Sequence, residues 1–103
     1  GDGRYVLKRL KQYNGIAEQS NNKEILDAIL LLARTEGIFT EPAGGVSVAV
    51  LKKMVEDGKI DRDETTVCYV TGNGLKATES LMEVLPKPQV MQADVAKILA
   101  VVK

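Results

Sequence analysis

The sequence has 103 residues, 45% of them hydrophobic and 27% charged, which is the composition of one ordinary globular domain and not of a disordered or fibrous chain. Fourteen basic residues balance fourteen acidic ones, so the net charge provides no attraction for nucleic acid or for an anionic membrane surface. Histidine is absent and Cys68 is the single cysteine, which excludes a histidine-dependent triad, a zinc site of imidazoles or thiolates, and an internal disulfide.

Two helices are predicted before residue 40. The first covers residues 3–14, where apolar side chains recur at helical spacing and Asp2 stands at the N-cap position. The second follows Asn21, which has Glu24 three residues later in the pattern of a capping box, and it ends at Gly37, where glycine tolerates a left-handed backbone. The second helix is apolar on more than one face and is therefore predicted to lie in the core.

The next segments alternate between short apolar strands and a helix. Residues 38–40 are predicted to form a brief buried strand, a third helix follows Gly44-Gly45 and ends at Gly58, and residues 66–71 are the clearest strand because they are rich in β-branched and aromatic residues. This order predicts an α/β fold of three-layer type, with a small, mainly parallel sheet flanked by helices.

The remaining sequence contains a plausible helical stretch from about residue 75 to Val84, a stiff break at residues 86–88, and a last helix from about Asp94 through Val101. No apolar run approaches the ~20 residues that cross a bilayer, and the N-terminal residues have no signal-peptide layout. Together with the lone cysteine, these features favour a cytoplasmic protein.

Two glycine-containing turns are the candidate ligand sites. Residues 43–45 open a predicted helix, and residues 71–74 follow the predicted strand. Helix N-termini favour anions, and ligands of parallel sheets bind beyond the carboxyl ends of the strands. Glycine pairs also serve backbone geometry alone, and neither turn matches a Walker or dinucleotide fingerprint, so the turns by themselves leave a ligand role open.

A family resemblance addresses that question. The stretch TEGIFTEPAGGVSVAVLKKMVEDGKID, followed by ETTVCYVTGNGLK, resembles the C-terminal part of threonine synthase, a pyridoxal-phosphate enzyme of the tryptophan synthase β structural group. The opening GDGRYVLKRL resembles the segment just upstream, so the likeness covers about residues 1–80. It implies that residues 1–85 form the C-terminal portion of the catalytic domain of a larger fold type II enzyme. Residues 86–103 are not covered by the resemblance and are predicted from their residue pattern to form a helical C-terminal tail.

The resemblance also implies a cofactor site. Thr71 occupies the position whose hydroxyl hydrogen-bonds the pyridine nitrogen of pyridoxal phosphate, and Glu41 and Gly44 belong to a turn that passes near the ring. Many relatives have histidine at Asn73 and aspartate at Ala77, which leaves the role of Asn73 open. The Schiff-base lysine, the asparagine-containing loop and the phosphate loop of the family lie in its N-terminal part, so we expect this chain alone to be inactive and to bind the cofactor weakly or not at all.

The resulting hypothesis is that the intact enzyme converts O-phosphohomoserine and water to threonine and phosphate. The N-terminal remainder of the enzyme would be the main partner, and self-association of the isolated chain is a further expectation. One alternative is a fragment of a threonine or serine dehydratase, which would release ammonia from threonine in place of phosphate from phosphohomoserine. A second alternative is a non-catalytic α/β ligand-binding or interaction domain, which a natural gene starting near Gly1 would favour.

Overall fold

The computed structural model describes residues 2–82, 84–85, 87 and 90–102. In this part of the chain the α-helices are α1 (Gly3–Gln12), α2 (Asn22–Glu36), α3 (Pro42–Glu56) and α4 (Val95–Val101). Two short 3-10 helices, Gly74–Lys76 and Thr78–Leu81, lie between α3 and α4. The described residues contain a single isolated antiparallel bridge, between Thr40 and Asn73, and no strand.

The predicted α/β fold with a mainly parallel sheet is therefore wrong, because the described chain is mainly helical. Residues 38–40 contribute only the bridge at Thr40, and residues 66–71 are irregular. No backbone hydrogen bond joins residues 66–71 to another described residue. β-Branched side chains fit a pleated, half-buried surface, but a strand also requires a neighbour that pairs with its N–H and C=O groups. The described residues supply no such neighbour for this segment.

The signals that delimit α2 were interpreted correctly. Asn21 Oδ1 accepts a hydrogen bond from the Glu24 N–H at 3.0 Å, and the Asn21 N–H donates to Glu24 Oε2 at 2.7 Å, which completes the predicted capping box. Gly37 follows the last turn with φ +68°, in the left-handed region. The local sequence therefore fixes both ends of this helix.

The start of α3 differs from the prediction. The helix begins at Pro42, whose fixed φ suits the first helical position, and the two glycines lie buried inside it. A Cβ atom on Gly45 would lie 2.7 Å from Ile29 Cγ1 and 3.0 Å from the carbonyl oxygen of Ile25. Glycine at this position thus lets α3 approach the backbone of α2 closely, and this contact offsets its poor helix propensity.

The core is small. It consists of the contact between α2 and α3, where Ala28, Ile29 and Ala49 are buried, and of Leu81 in the second 3-10 helix. The radius of gyration is 18.5 Å, against ~13 Å for a compact domain of about 100 residues. The accessible surface is 8727 Å², whereas a compact monomer of this mass exposes about 5,700 Å². Much surface that a compact domain would bury is thus open.

The other predicted helices are present in part. Helix α1 forms where it was predicted, but the Asp2 side chain makes no capping bond and no residue of α1 is buried. Two 3-10 turns replace the predicted helix after residue 75. Helix α4 forms close to its predicted position, with Asp94 Oδ1 accepting from the Ala96 N–H at 2.9 Å. Of the predicted break at residues 86–88, Pro86 and Pro88 lie outside the described residues.

Candidate functional site

The two glycine-containing turns meet in space. The Glu41 N–H donates to the carbonyl oxygen of Gly72 at 3.2 Å, and the Gly74 N–H donates to that of Phe39 at 3.0 Å. The bridge between Thr40 and Asn73 lies between these two hydrogen bonds. We call the unit formed by residues 39–45 and 70–76 the two-turn corner. Its formation places Thr71 in the same region of the molecule as Glu41 and Gly44, which lie much earlier in the sequence.

Gly44 lies inside the two-turn corner. It is buried, and a Cβ atom there would overlap Thr40 Oγ1 and lie 3.2 Å from Val70 Cγ1. Gly72 is equally constrained, because a Cβ atom on it would overlap the Glu41 carboxylate. Both glycines are required for close packing of one turn on the other. The sequence prediction that Gly44 contributes to a cofactor site remains a prediction.

Glu41 joins the two turns through its side chain. Its carboxylate lies over Gly72, and its Oε2 is 3.1 Å from Lys76 Nζ. The Glu41 side chain is 20% exposed, whereas that of Lys76 is 67% exposed. A carboxylate at this place also interacts favourably with the positive end of α3, since Glu41 is its N-cap residue. This ion pair links the first turn of the corner to the second and was not predicted from the sequence.

Thr71 differs from its neighbours because its side chain is free. The residue is exposed, and its hydroxyl forms no hydrogen bond with another described residue. Val70, which precedes it, is half-buried against Gly44 and anchors the segment. A threonine hydroxyl can donate one hydrogen bond and accept others, so Thr71 is able to contact a ligand at the surface of the corner.

The Asn73 side chain makes a local structural contact. Its Oδ1 accepts from the Leu75 N–H at 2.9 Å and caps the first 3-10 helix. Thr40, in contrast, was overlooked by the sequence interpretation, although it is fully buried and donates from Oγ1 to the Gly72 carbonyl oxygen at 2.9 Å. The available signal was a hydroxyl residue placed directly after two apolar residues in a segment predicted to be buried.

Comparison with known proteins defines the class. The sequence profile described as "Pyridoxal-phosphate dependent enzyme" matches residues 1–72, and the chain therefore belongs to this family. That match covers most of the two-turn corner, up to Gly72.

Within the family the chain is homologous to threonine synthase. It is 44% identical to the threonine synthase of Methanocaldococcus jannaschii over 98 residues, which are 95% of this chain and 24% of the relative. It is 44% identical to that of Methanosarcina acetivorans over 93 residues, 90% of this chain and 23% of the relative. The enzyme of Halalkalibacterium halodurans is 38% identical over 91 residues, 87% of this chain and 26% of the relative. The chain spans about a quarter of the length of these relatives.

The predicted relationship to threonine synthase is thus confirmed, and so is membership of a cofactor-dependent family. The site residues themselves are not tested by these similarities. Of the described helices, none is long and apolar enough to cross a membrane.

Proposed function

We propose that this chain is the C-terminal part of the cofactor domain of a threonine synthase, in which the intact enzyme converts O-phosphohomoserine and water to threonine and phosphate. The observation that carries the proposal is the 44% identity to two threonine synthases over at least 90% of the chain. The exposed Thr71 hydroxyl on a packed two-turn corner supports it, because that is the position the family resemblance gives to the cofactor contact.

Thr71 is the residue here that fits pyridoxal phosphate. Its hydroxyl would donate to the pyridine nitrogen, while the packing of Val70 against Gly44 keeps the segment in place. Pyridoxal phosphate, when bound, supplies an electron sink for carbanions of amino-acid substrates. A neutral hydroxyl does not hold the ring nitrogen protonated as a carboxylate would, so Thr71 would orient the ring without adding a charge. Glu41 and Gly44 would then support the corner at its edge.

The large exposed surface supports the proposed partner. The chain exposes 8727 Å², about 3,000 Å² more than a compact monomer of this mass. A stable protein interface buries about 1,200–2,000 Å² in total, so this excess is ample for a large interdomain contact. The N-terminal remainder of the enzyme is the proposed occupant, and it would also supply the Schiff-base lysine and the phosphate loop. On this proposal the isolated chain is inactive, binds the cofactor weakly, and self-associates, and the enzyme works in the cytoplasm.

The reaction is tested on the full-length protein that carries this chain. We expect phosphate release from O-phosphohomoserine with production of threonine. Ammonia release from threonine, without phosphate chemistry, would instead assign a dehydratase and contradict the proposal.

The role of Thr71 is tested with Thr71→Val and Thr71→Ser in the same full-length protein. Thr71→Val removes the hydroxyl at nearly constant volume, so we expect faster release of the cofactor and a changed absorbance band, whereas Thr71→Ser should behave like the wild type. Thr66→Val is the matched control, since Thr66 is exposed and makes no hydrogen bond with another described residue. An unchanged band and release rate in Thr71→Val would contradict the assigned role.

The partner is tested by producing residues 1–103 and the N-terminal remainder as separate chains. We expect light scattering to show self-association of the isolated chain, and the two chains to form a 1:1 complex that regains cofactor binding. If residues 1–103 are a monodisperse monomer and do not bind the N-terminal remainder, the proposed interface is contradicted.

A further inference from the structure

Among the described residues, Thr40 has a polar side chain that is completely buried, with 0% of its surface exposed. Its Oγ1 donates to the Gly72 carbonyl oxygen at 2.9 Å, and the same oxygen accepts from the Glu41 N–H at 3.2 Å. A carbonyl oxygen has two lone pairs, so both are occupied by donors from the other turn. The peptide group that follows Gly72 is therefore held from two directions.

Thr40 also contacts the other turn of the corner. Its backbone pairs with Asn73 of that turn, and within its own turn its Oγ1 lies directly against Gly44, where a Cβ atom would overlap it. Burial of a hydroxyl costs free energy unless a hydrogen bond compensates it. Valine would occupy nearly the same volume without that cost. The hydroxyl at this position is thus explained by its hydrogen bond to Gly72 and not by packing.

The consequence concerns Thr71. The carbonyl that Thr40 holds belongs to the residue immediately after Thr71, and Val70, immediately before it, packs on Gly44. Thr71 is therefore fixed on both sides while its own hydroxyl is free of described partners. We propose that Thr40 is a positioning residue, whose buried hydroxyl sets the orientation of the 71–74 turn and thereby presents Thr71 to the cofactor. This inference rests on the function proposed above, because it assigns Thr71 to the cofactor.

The test uses the full-length protein with three changes at one position. Thr40→Val removes the hydrogen bond at constant volume, Thr40→Ala removes it without adding a methyl group next to Gly44, and Thr40→Ser keeps the hydroxyl. The first measurement needs no cofactor chemistry: it is the amide hydrogen exchange of Glu41 and Gly74, whose N–H groups bond across the two turns. The second measurement is the rate of cofactor release, followed by absorbance.

We expect Thr40→Val and Thr40→Ala to accelerate exchange of both amides by about fivefold or more, as the loss of one hydrogen bond implies. They should also accelerate cofactor release. In Thr40→Ser, which keeps the hydroxyl, the exchange rates and the release rate should stay close to those of the wild type. Unchanged exchange in Thr40→Ala would overturn the proposal, as would faster exchange with an unchanged release rate. The Thr71→Val variant separates the two ideas: if it leaves cofactor release unchanged, the cofactor role proposed for Thr71 fails, while the exchange data still decide whether Thr40 holds the turn.

Discussion

Helices α1 and α2 both have apolar side chains at helical spacing in the sequence but have different environments. Helix α2 is closed by a capping box and packs against α3, with Ile29 only 1% exposed. Helix α1 has no side-chain cap and no buried residue, and Tyr5 on it and Tyr13 at its C-cap are 74% and 70% exposed. Periodicity thus predicts that a helix forms and which face is apolar. It does not reveal whether the partner of that face lies in the same chain.

The same contrast separates the two-turn corner from the preceding residues 66–69. The corner is closed by hydrogen bonds between its turns, whereas Val67 and Tyr69 are 73% and 78% exposed and their backbone has no described partner. Regions with few buried contacts open at low free energy, so α1 and residues 66–69 should exchange amide hydrogens much faster than α2 and α3. The predictions below test whether stability is concentrated in the α2–α3 pair.

The largest effect is expected for Ile29→Ala. This substitution removes a fully buried side chain from the contact between α2 and α3, and we expect a loss of about 2–5 kcal/mol in the free energy of unfolding. The measurement is urea denaturation followed by far-UV circular dichroism. Leu31→Ala on the same helix is the control, because Leu31 is 41% exposed and should lose much less. Equal losses in the two variants would show that the α2–α3 contact is not the core.

A smaller loss is expected for Gly45→Ala. The added methyl group would crowd Ile29 Cγ1 and the Ile25 carbonyl oxygen, and overpacking of this kind costs about 1–3 kcal/mol. The gain in helix propensity offsets about 1 kcal/mol of that cost, so the net loss should be up to about 2 kcal/mol. Gly3→Ala in α1 is the matched control, since nothing lies within 4 Å of the new methyl group. Stabilisation by Gly45→Ala would contradict the close approach of the two helices.

These residues also show which features of the fold can be predicted from the sequence. Capping at Asn21 and Gly37 is encoded within a few residues, so both ends of α2 were predictable. The start of α3 was misplaced because Gly45 is explained by contact with α2, a tertiary feature that local glycine rules do not contain. The prediction of a strand at residues 66–71 was wrong because strand propensity does not show whether a neighbouring segment is present to pair with the backbone.

The candidate site was predictable to a similar extent. The family resemblance predicted that Thr71 contacts the cofactor. The role proposed for Thr40, in contrast, depends on a hydrogen bond to a carbonyl 32 residues away in the chain. The same holds for the ion pair between Glu41 and Lys76, which follows from the meeting of the two turns. A single sequence can indicate that Thr40 is buried, but it does not identify the distant group that a side chain contacts.

The caps of α1 and α2 provide a third test of the comparison. Asn21→Ala removes the side chain that accepts from the Glu24 N–H, and we expect a loss of about 1 kcal/mol in the free energy of unfolding. Asp2→Ala should have almost no effect, because the Asp2 side chain makes no capping bond in α1. Urea denaturation of both variants measures the difference. A larger loss from Asp2→Ala would mean that α1 contributes more to stability than its exposure implies.

The smallest effect concerns the segment between α1 and α2. Glu18 accepts from the Gln19 N–H at 3.0 Å and lies 3.1 Å from Lys59 Nζ and 3.4 Å from Lys53 Nζ. The Gln19 N–H, with Lys59 and Lys53, lowers the pKa of Glu18 from 4.5 to about 2. A carboxyl whose pKa is lower in the folded state stabilises that state when ionised. This stabilisation is complete above about pH 4.5 and is lost as the pH falls towards 2.

We therefore expect an NMR titration of the Glu18 side-chain carboxyl carbon to have its midpoint near pH 2 at low salt. High salt should move this midpoint upwards, because exposed ion pairs are screened. Glu18→Gln should lower the free energy of unfolding slightly at neutral pH and match the wild type once the pH is below the native pKa. The control is Glu64→Gln, since Glu64 forms no ion pair with another described residue. A Glu18 midpoint at 4.5 would show that its ion pairs with Lys53 and Lys59 do not persist in solution.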